Sequence, residues 1–325
     1  MKFKLHTLDP ELKRYGFLLK PVSQITSPRT FTLFQRGYRA LFHAATPQDP
    51  SIFFKKQYIK RSDGGELCLY LYGPKELDLS QPVTGLLWLH GGGYATGGPQ
   101  QTLPTIEAFI RTSPTVVVVP EYRLSIEAPF PAAFEDAYMA LLWMNRQAKQ
   151  LGIREDQLFI GGESAGGGLA CCVSAYARDT GTVAIACQFP LYPMLDDRMT
   201  TPSMIDNDGP AWNITSNRTA WKLYLGSLFG TEQVPVYAAP ARLKNYQHLP
   251  PTYTYVGRTE PFYDETKQYI DGLTGAGVPA QMDVYEGVFH GFDLVAPKTA
   301  IAKQARKNLM TAYKQAANTL YAPQR

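Results

Sequence analysis

From about residue 56 onward, apolar and polar positions fall into two alternating textures. Residues 57–60 and 67–72 read as strands on either side of the turn Ser62-Asp63-Gly64-Gly65, hence a hairpin. Residues 84–89 and 115–119 are unbroken apolar runs, the mark of strands buried on both faces. A long helix is expected over 131–151, with Phe134, Tyr138, Leu141 and Leu142 on its apolar side. Then follow a strand at 158–161, a helix from Ser164 and a strand at 184–189. The rhythm resumes with a strand at 252–256, a helix near 262–276, a strand at 280–286 and a last helix from about Thr299. Alternating buried strands and helices predict an α/β fold: a mostly parallel, twisted sheet with helices on both faces and right-handed crossovers.

Two stretches break that rhythm. Residues 1–55 read as helical and irregular; within them Phe31, Phe34, Tyr38, Leu41 and Phe42 recur at helical spacing, with Arg36 and Arg39 opposite. Such an amphipathic helix must cover something. Residues 196–235 form a loop rich in Asp, Pro and Asn, then a helix carrying Trp221, Tyr224, Leu225 and Leu228. The expected organisation is therefore an N-terminal cap segment at 1–55, a core at 56–195 and 236–325, and a cap insertion at 196–235. The two cap pieces are expected to meet as a lid over one end of the sheet. No internal repeat is present.

Composition narrows the class. With 45% hydrophobic and 18% charged residues in 325, the chain is globular and long enough for a sizeable core. Its net charge of +4 comes from scattered Lys and Arg, which argues against a nucleic-acid surface and a polybasic membrane anchor. Cys68, Cys171, Cys172 and Cys187 have no metal-ligand spacing and imply no disulfide framework. Residues 1–15 lack the apolar core of a signal peptide, and no run reaches membrane-spanning length, so a reducing cytoplasm is the expected compartment. The sequons at Asn213 and Asn217 then read as chance.

The candidate chemistry centres on Gly162-Glu163-Ser164-Ala165-Gly166, where an apolar strand runs into G-x-S-x-G and a helix follows. By itself the motif reads as a tight turn. In a nucleophile elbow the turn is so sharp that only small residues fit beside the serine, and the next N–H, that of Ala165, points to where a substrate oxygen sits. A serine hydroxyl needs a base within hydrogen-bond reach, and the base needs an acid that fixes its tautomer. Of the five histidines, His290 in Val288-Phe289-His290-Gly291-Phe292 lies just past the last expected strand. The acid should fall between serine and base in chain order. Glu260 stands in the loop after the strand at 252–256, with Asp264 one turn later as its competitor. His90-Gly91-Gly92-Gly93 follows a buried strand and leaves backbone N–H groups free to face an oxyanion, with His90 bracing the loop. No phosphate-binding pattern accompanies these glycines.

These motifs resemble the hormone-sensitive-lipase-like esterases (bacterial family IV) of the α/β-hydrolase superfamily. The likeness runs from about Leu67 to Leu294. It rests on HGGG at 90–93, Glu121-Tyr122-Arg123-Leu124, Pro129-Phe130-Pro131-Ala132-Ala133-Phe134, GESAGG at 162–167 and His290-Gly291-Phe292. It implies an α/β-hydrolase fold with a helical cap, Ser164 as nucleophile, His290 as base, and the Gly92, Gly93 and Ala165 amides as oxyanion donors. Where the family usually has Asp-Pro, this chain has Glu260-Pro261, which puts Glu260 in the acid's place; where it usually has Asp before the serine, this chain has Glu163. The implied activity is hydrolysis of short- to medium-chain acyl esters through an acyl-enzyme, with no cofactor or metal. The expected partner is a small-molecule ester, with no nucleic acid and no membrane span, and a homodimer is left open. The alternatives are an amidase or peptidase using the same triad, or a non-catalytic small-molecule receptor on the same fold. The base histidine argues against the receptor.

Overall fold

The computed structural model describes residues 2–324. Two helices come first, α1 (Lys13–Leu19) and α2 (Pro28–Phe42). Ser27 starts α2 by accepting the Thr30 N–H at 3.3 Å, and Pro28 in the first turn has no N–H to leave unpaired. Next come β1 (Ile52–Lys60), β2 (Glu66–Pro74), β3 (Val83–Leu89), α3 (Leu103–Thr112) and β4 (Thr115–Pro120). They are followed by α4 (Ala132–Arg146), β5 (Ile153–Glu163), α5 (Ala165–Thr180), β6 (Cys187–Leu191) and α6 (Ile214–Leu225). The chain closes with β7 (Thr252–Gly257), α7 (Tyr263–Gly275), β8 (Ala280–Tyr285), α8 (Phe292–Val295) and α9 (Ala300–Thr319).

The eight strands form one sheet in the order β1-β2-β4-β3-β5-β6-β7-β8. Only β2 runs against its neighbours; the other pairs are parallel. Side-chain alternation along the strands feeds two cores, one per face. Leu87 and Leu89 of β3 pack with Leu141 and Met144 of α4 and Leu169 and Val173 of α5. Leu86 and Trp88 face the other way, toward Ile106 and Phe109 of α3 and Leu309 and Tyr313 of α9. The expected α/β architecture is thus the observed one.

Some boundaries differ from the pattern. The strand expected at 184–189 lies at Cys187–Leu191, because residue 184 is taken up by the C-terminal segment, where Gln324 accepts the Ala184 N–H at 2.9 Å. The helix expected to reach 151 stops at Arg146 and unwinds through turns into Gly152, whose φ of +67° suits a glycine.

On α2, Phe31 and Gln35 are buried, whereas Phe34 and Leu41, expected on its apolar face, stand exposed. The inward line is instead the buried Phe31 and Gln35 with the half-buried Tyr38, one narrow line at helical spacing. Segments 20–25 and 208–219 touch directly. Ser216 Oγ accepts the Ile25 N–H at 3.0 Å, Asn213 Nδ2 donates to the Ser23 carbonyl at 3.0 Å, and Lys20 pairs with Asp208 at 3.1 Å.

Candidate active site

Ser164 joins β5 to α5 with φ +56° and ψ −117°, a conformation costly for any residue but glycine. It is held there on both sides. Its N–H donates to the Leu191 carbonyl at 2.9 Å, and its own carbonyl accepts from Gly168 and Met194, each at 3.0 Å. The flanking glycines are fixed by close approach: a Cβ on Gly162 would lie 2.3 Å from the Leu89 carbonyl oxygen, and one on Gly166 would lie 2.1 Å from it. The end of β3 thus leaves no room for side chains around the serine.

His290 lies beyond β8, and its Nε2 is 2.8 Å from Ser164 Oγ. Its Nδ1 is 2.5 Å from Glu260 Oε2. All three side chains are nearly buried. Tyr192 and Phe262 set their rings edge-on to the imidazole, at centroid distances of 5.0 and 4.9 Å, and so limit its rotation. The second oxygen of Glu260 accepts the Gly257 N–H at 2.6 Å, which ties the longer side chain back to the end of β7. Asp264 makes a different pair: its carboxylate accepts the Ser203 N–H at 2.6 Å, and its own N–H donates to Ser203 Oγ at 3.0 Å. It has no hydrogen bond to His290 among the described residues.

Behind β3, Gly92 and Gly93 have φ of +120° and +60°. The N–H groups of Gly92, Gly93 and Ala165 donate to no acceptor among the described residues, and α5 adds the positive end of its dipole at Ala165. His90 is buried beneath this turn, its Nδ1 2.9 Å from the Gly91 carbonyl and its ring stacked on Tyr122 at 4.1 Å. Burial lowers its pKa to about 4, so it is neutral and works as a brace. The Tyr122 hydroxyl donates to the His90 carbonyl at 2.7 Å, which gives the Tyr-Arg-Leu stretch a place under the loop.

Two further residues at the site did not stand out in the sequence. Gln35 of α2 donates to the Gly97 carbonyl at 3.0 Å and accepts the Gly97 N–H at 2.7 Å. No pattern in the sequence marks it, since hydrophobicity puts residues 31, 34, 38, 41 and 42 on the inward side of the helix. Trp212 sets its ring against Gly93, where a Cβ would lie 2.3 Å from Trp212 Cη2, and 6.5 Å from the His290 ring. Its indole N–H donates to Asn217 Oδ1 at 3.0 Å, and Phe31 of α2 lies beside it at 6.2 Å. The side chains of Asn213 and Asn217 are buried, one capping α6 and the other holding Trp212, which is the structural role of the two sequon asparagines.

Glu163 is buried beside the serine with one oxygen on the Trp88 indole N–H at 3.1 Å and the other unpartnered. Burial, and then the charge of Asp293, push its carboxyl up to about 8. The four cysteines are free, and no three His, Cys, Asp or Glu among the described residues converge on a metal position.

The comparisons with known proteins bear on the family and the fold. A family model described as alpha/beta hydrolase fold matches residues 86–294. The esterase LipI of Mycobacterium tuberculosis is 30% identical over 229 residues, covering 70% of this chain and 71% of LipI. An arylesterase of Saccharolobus solfataricus is 25% identical over 90% of this chain and 94% of its own length. Among solved structures, a bacterial heroin esterase superposes with a TM-score of 0.89 at 33% identity, covering 97% of this chain and 99% of the other. Brefeldin A esterase, a bacterial homologue of human hormone-sensitive lipase, shares the fold at a TM-score of 0.80 and 22% identity, with 96% and 95% of the two chains covered.

Proposed function

The chain belongs to the hormone-sensitive-lipase-like family of α/β-hydrolases and is a carboxylic ester hydrolase, and on that premise we propose that it is a serine esterase with a Ser164-His290-Glu260 triad. The observation that carries this reading is the continuous line of contacts, 2.8 Å from Ser164 Oγ to His290 Nε2 and 2.5 Å from His290 Nδ1 to Glu260 Oε2. It also stands against the receptor alternative, since a binding module has no use for a base on the serine.

Ser164 Oγ attacks the ester carbonyl carbon while its proton passes to His290 Nε2. The carbonyl oxygen becomes an oxyanion held by the Gly92, Gly93 and Ala165 N–H groups, which have no acceptor of their own among the described residues. Collapse of the tetrahedral intermediate breaks the bond to the alcohol oxygen, and the His290 proton goes to that leaving group. Water then attacks the acyl-enzyme, gives its proton to His290, and the acid departs as Ser164 recovers its hydrogen. Glu260 accepts from His290 Nδ1–H throughout, fixing the tautomer and offsetting the charge the ring acquires.

Residues 1–55 and 196–235 act in this reading as a cap. Through Phe31 and Trp212 they narrow the space around the serine, which favours short to medium acyl chains. The test is a fluorophosphonate probe followed by mapping of the labelled peptide. Labelling at Ser164, and its loss together with p-nitrophenyl ester turnover in Ser164→Ala, is the expected result. An adduct elsewhere, or turnover in Ser164→Ala within about tenfold of the parent, overturns the assignment.

A further inference from the structure

The outward side of the N-terminal helices is not covered by the rest of the chain. Among the described residues, seven of the twelve large apolar side chains that stand exposed lie between positions 17 and 42. Phe17 and Leu18 on α1 are 69% and 62% exposed; Leu33 and Leu41 on α2 are 68% and 79% exposed. The positive charge that reads as scattered along the whole sequence is in fact uneven, and this stretch carries an excess of it without forming a polybasic run. Residues 1–45 contain eight lysines and arginines against two acidic residues, while the whole chain is only +4, so the remainder is net negative. Arg29, Leu33 and Arg36 follow one another at helical spacing and share an outward face of α2. Arg39, on the flank, is paired with Glu127 at 3.0 Å; Arg29 and Arg36 have no ion pair among the described residues.

We propose that the outward face of α2 is a docking surface for an anionic lipid bilayer, on which the protein sits peripherally. A second copy of the chain is the other candidate occupant, and charge argues against it. A two-fold interface sets a surface against itself, so the unpaired Arg29 and Arg36 would face like charges inside an apolar contact. Anionic headgroups reverse that sign: phosphates meet the guanidinium groups while Leu33 and Leu41 enter the acyl boundary. No described helix is long and apolar enough to cross a membrane, so the contact is limited to side chains at the surface.

The opposite side of α2 carries Phe31 against Trp212 and Gln35 against Gly97. One helix therefore has the bilayer on its outer side and the active-site loop on its inner side, an arrangement suited to amphiphilic esters dissolved in a membrane. Vesicle binding and ester turnover are separate measurements, so the face can dock whether or not the chain is an esterase.

The experiment is cosedimentation of the full chain with phosphatidylglycerol or phosphatidylcholine vesicles at low and high salt. Binding is expected to phosphatidylglycerol only, and to weaken between about 0.1 and 0.5 M salt as the charges are screened. Arg29→Gln with Arg36→Gln should weaken it roughly thirtyfold, the sum of two surface cations. Leu33→Ser with Leu41→Ser should weaken it roughly tenfold or more while leaving turnover of a soluble short-chain ester at the parent rate. Equal binding to both vesicle types, or no change in the arginine variant, overturns the proposal. So does a dimer that Leu33→Ser with Leu41→Ser dissolves in a parent that ignores vesicles, which would assign the face to a second copy.

Discussion

Gln35 and Gly97 are joined by a reciprocal pair of hydrogen bonds, the carboxamide donating at 3.0 Å and accepting at 2.7 Å. The helix of the N-terminal segment thereby grips the back of the glycine turn. Gly97 has φ +94°, and a Cβ there would lie 2.6 Å from the Gly91 carbonyl oxygen, so it rests directly on the loop that presents Gly92 and Gly93.

Breaking this grip should show in the chemical step more than in binding. Gln35→Leu leaves both Gly97 backbone groups unpaired in a buried position, at about 1–3 kcal/mol each. We expect kcat to fall by about tenfold or more with KM little changed, a fraction of the loss seen when an oxyanion donor is removed outright. Gln35→Glu keeps the acceptor but loses the donor and should fall between. A kcat for Gln35→Leu within about twofold of the parent, in a protein that still folds, would show that the loop holds its own shape.

The acid of the triad can be separated from its neighbour by conservative changes. Glu260→Gln should lower kcat by roughly three to four orders of magnitude, because the amide cannot enforce the same imidazole tautomer. Glu260→Asp keeps the charge but falls one methylene short, and its second oxygen loses reach to the Gly257 N–H, so an intermediate rate is expected. Asp264→Asn disturbs only the pair with Ser203 and should cost far less. Steady-state kinetics on one p-nitrophenyl ester decides this: greater damage from Asp264→Asn than from Glu260→Gln moves the acid role to Asp264.

Glu163 makes stability depend on pH in an unusual direction for a carboxylate. Burial holds its folded pKa up at about 8, against 4.5 when free, and Asp293, also raised by burial, acts in the same sense. Between those values the folded chain keeps a proton that the unfolded chain has released, so this site's contribution to stability falls as pH rises from about 4.5 toward 8. Glu163→Gln removes the titration. Its urea midpoint should vary less over that window and exceed the parent's at the alkaline end. A parent and variant with parallel midpoints from pH 5 to 8 would show that Glu163 is ionised in the fold.

Trp212 should set the acyl length. Its ring touches Gly93 and faces His290, so a smaller side chain opens space beside the oxyanion turn. Trp212→Leu is expected to raise the kcat/KM ratio of an eight-carbon over a two-carbon p-nitrophenyl ester by about tenfold, within the discrimination a few methylenes provide. Circular dichroism guards against simple unfolding, since emptying an aromatic site costs about 3–5 kcal/mol in the extreme case of alanine. An unchanged ratio would place the acyl chain on another wall.

The sequence by itself determined the sheet, the elbow and the order of chemistry-bearing residues. Those features are written locally: strands as apolar runs, the elbow as a serine between glycines at a strand-to-helix turn, His290 and Glu260 as residues just past strand ends. The family likeness rested on the same short motifs, and the matches over residues 86–294 agree with it.

What only the tertiary structure decided is which distant groups meet. Glu260 and Asp264 are one helical turn apart and alike in charge; the loop's path aims one at the imidazole and the other at Ser203. On α2, hydrophobicity alone assigned Phe34 and Leu41 to the interior, yet the helix turns Phe31 and Gln35 inward. The physical reason is that a helix rotates to satisfy its most demanding contacts. Here those are the Gly97 backbone and the Trp212 ring, more than 60 residues and some 180 residues along the chain, where no local pattern reaches.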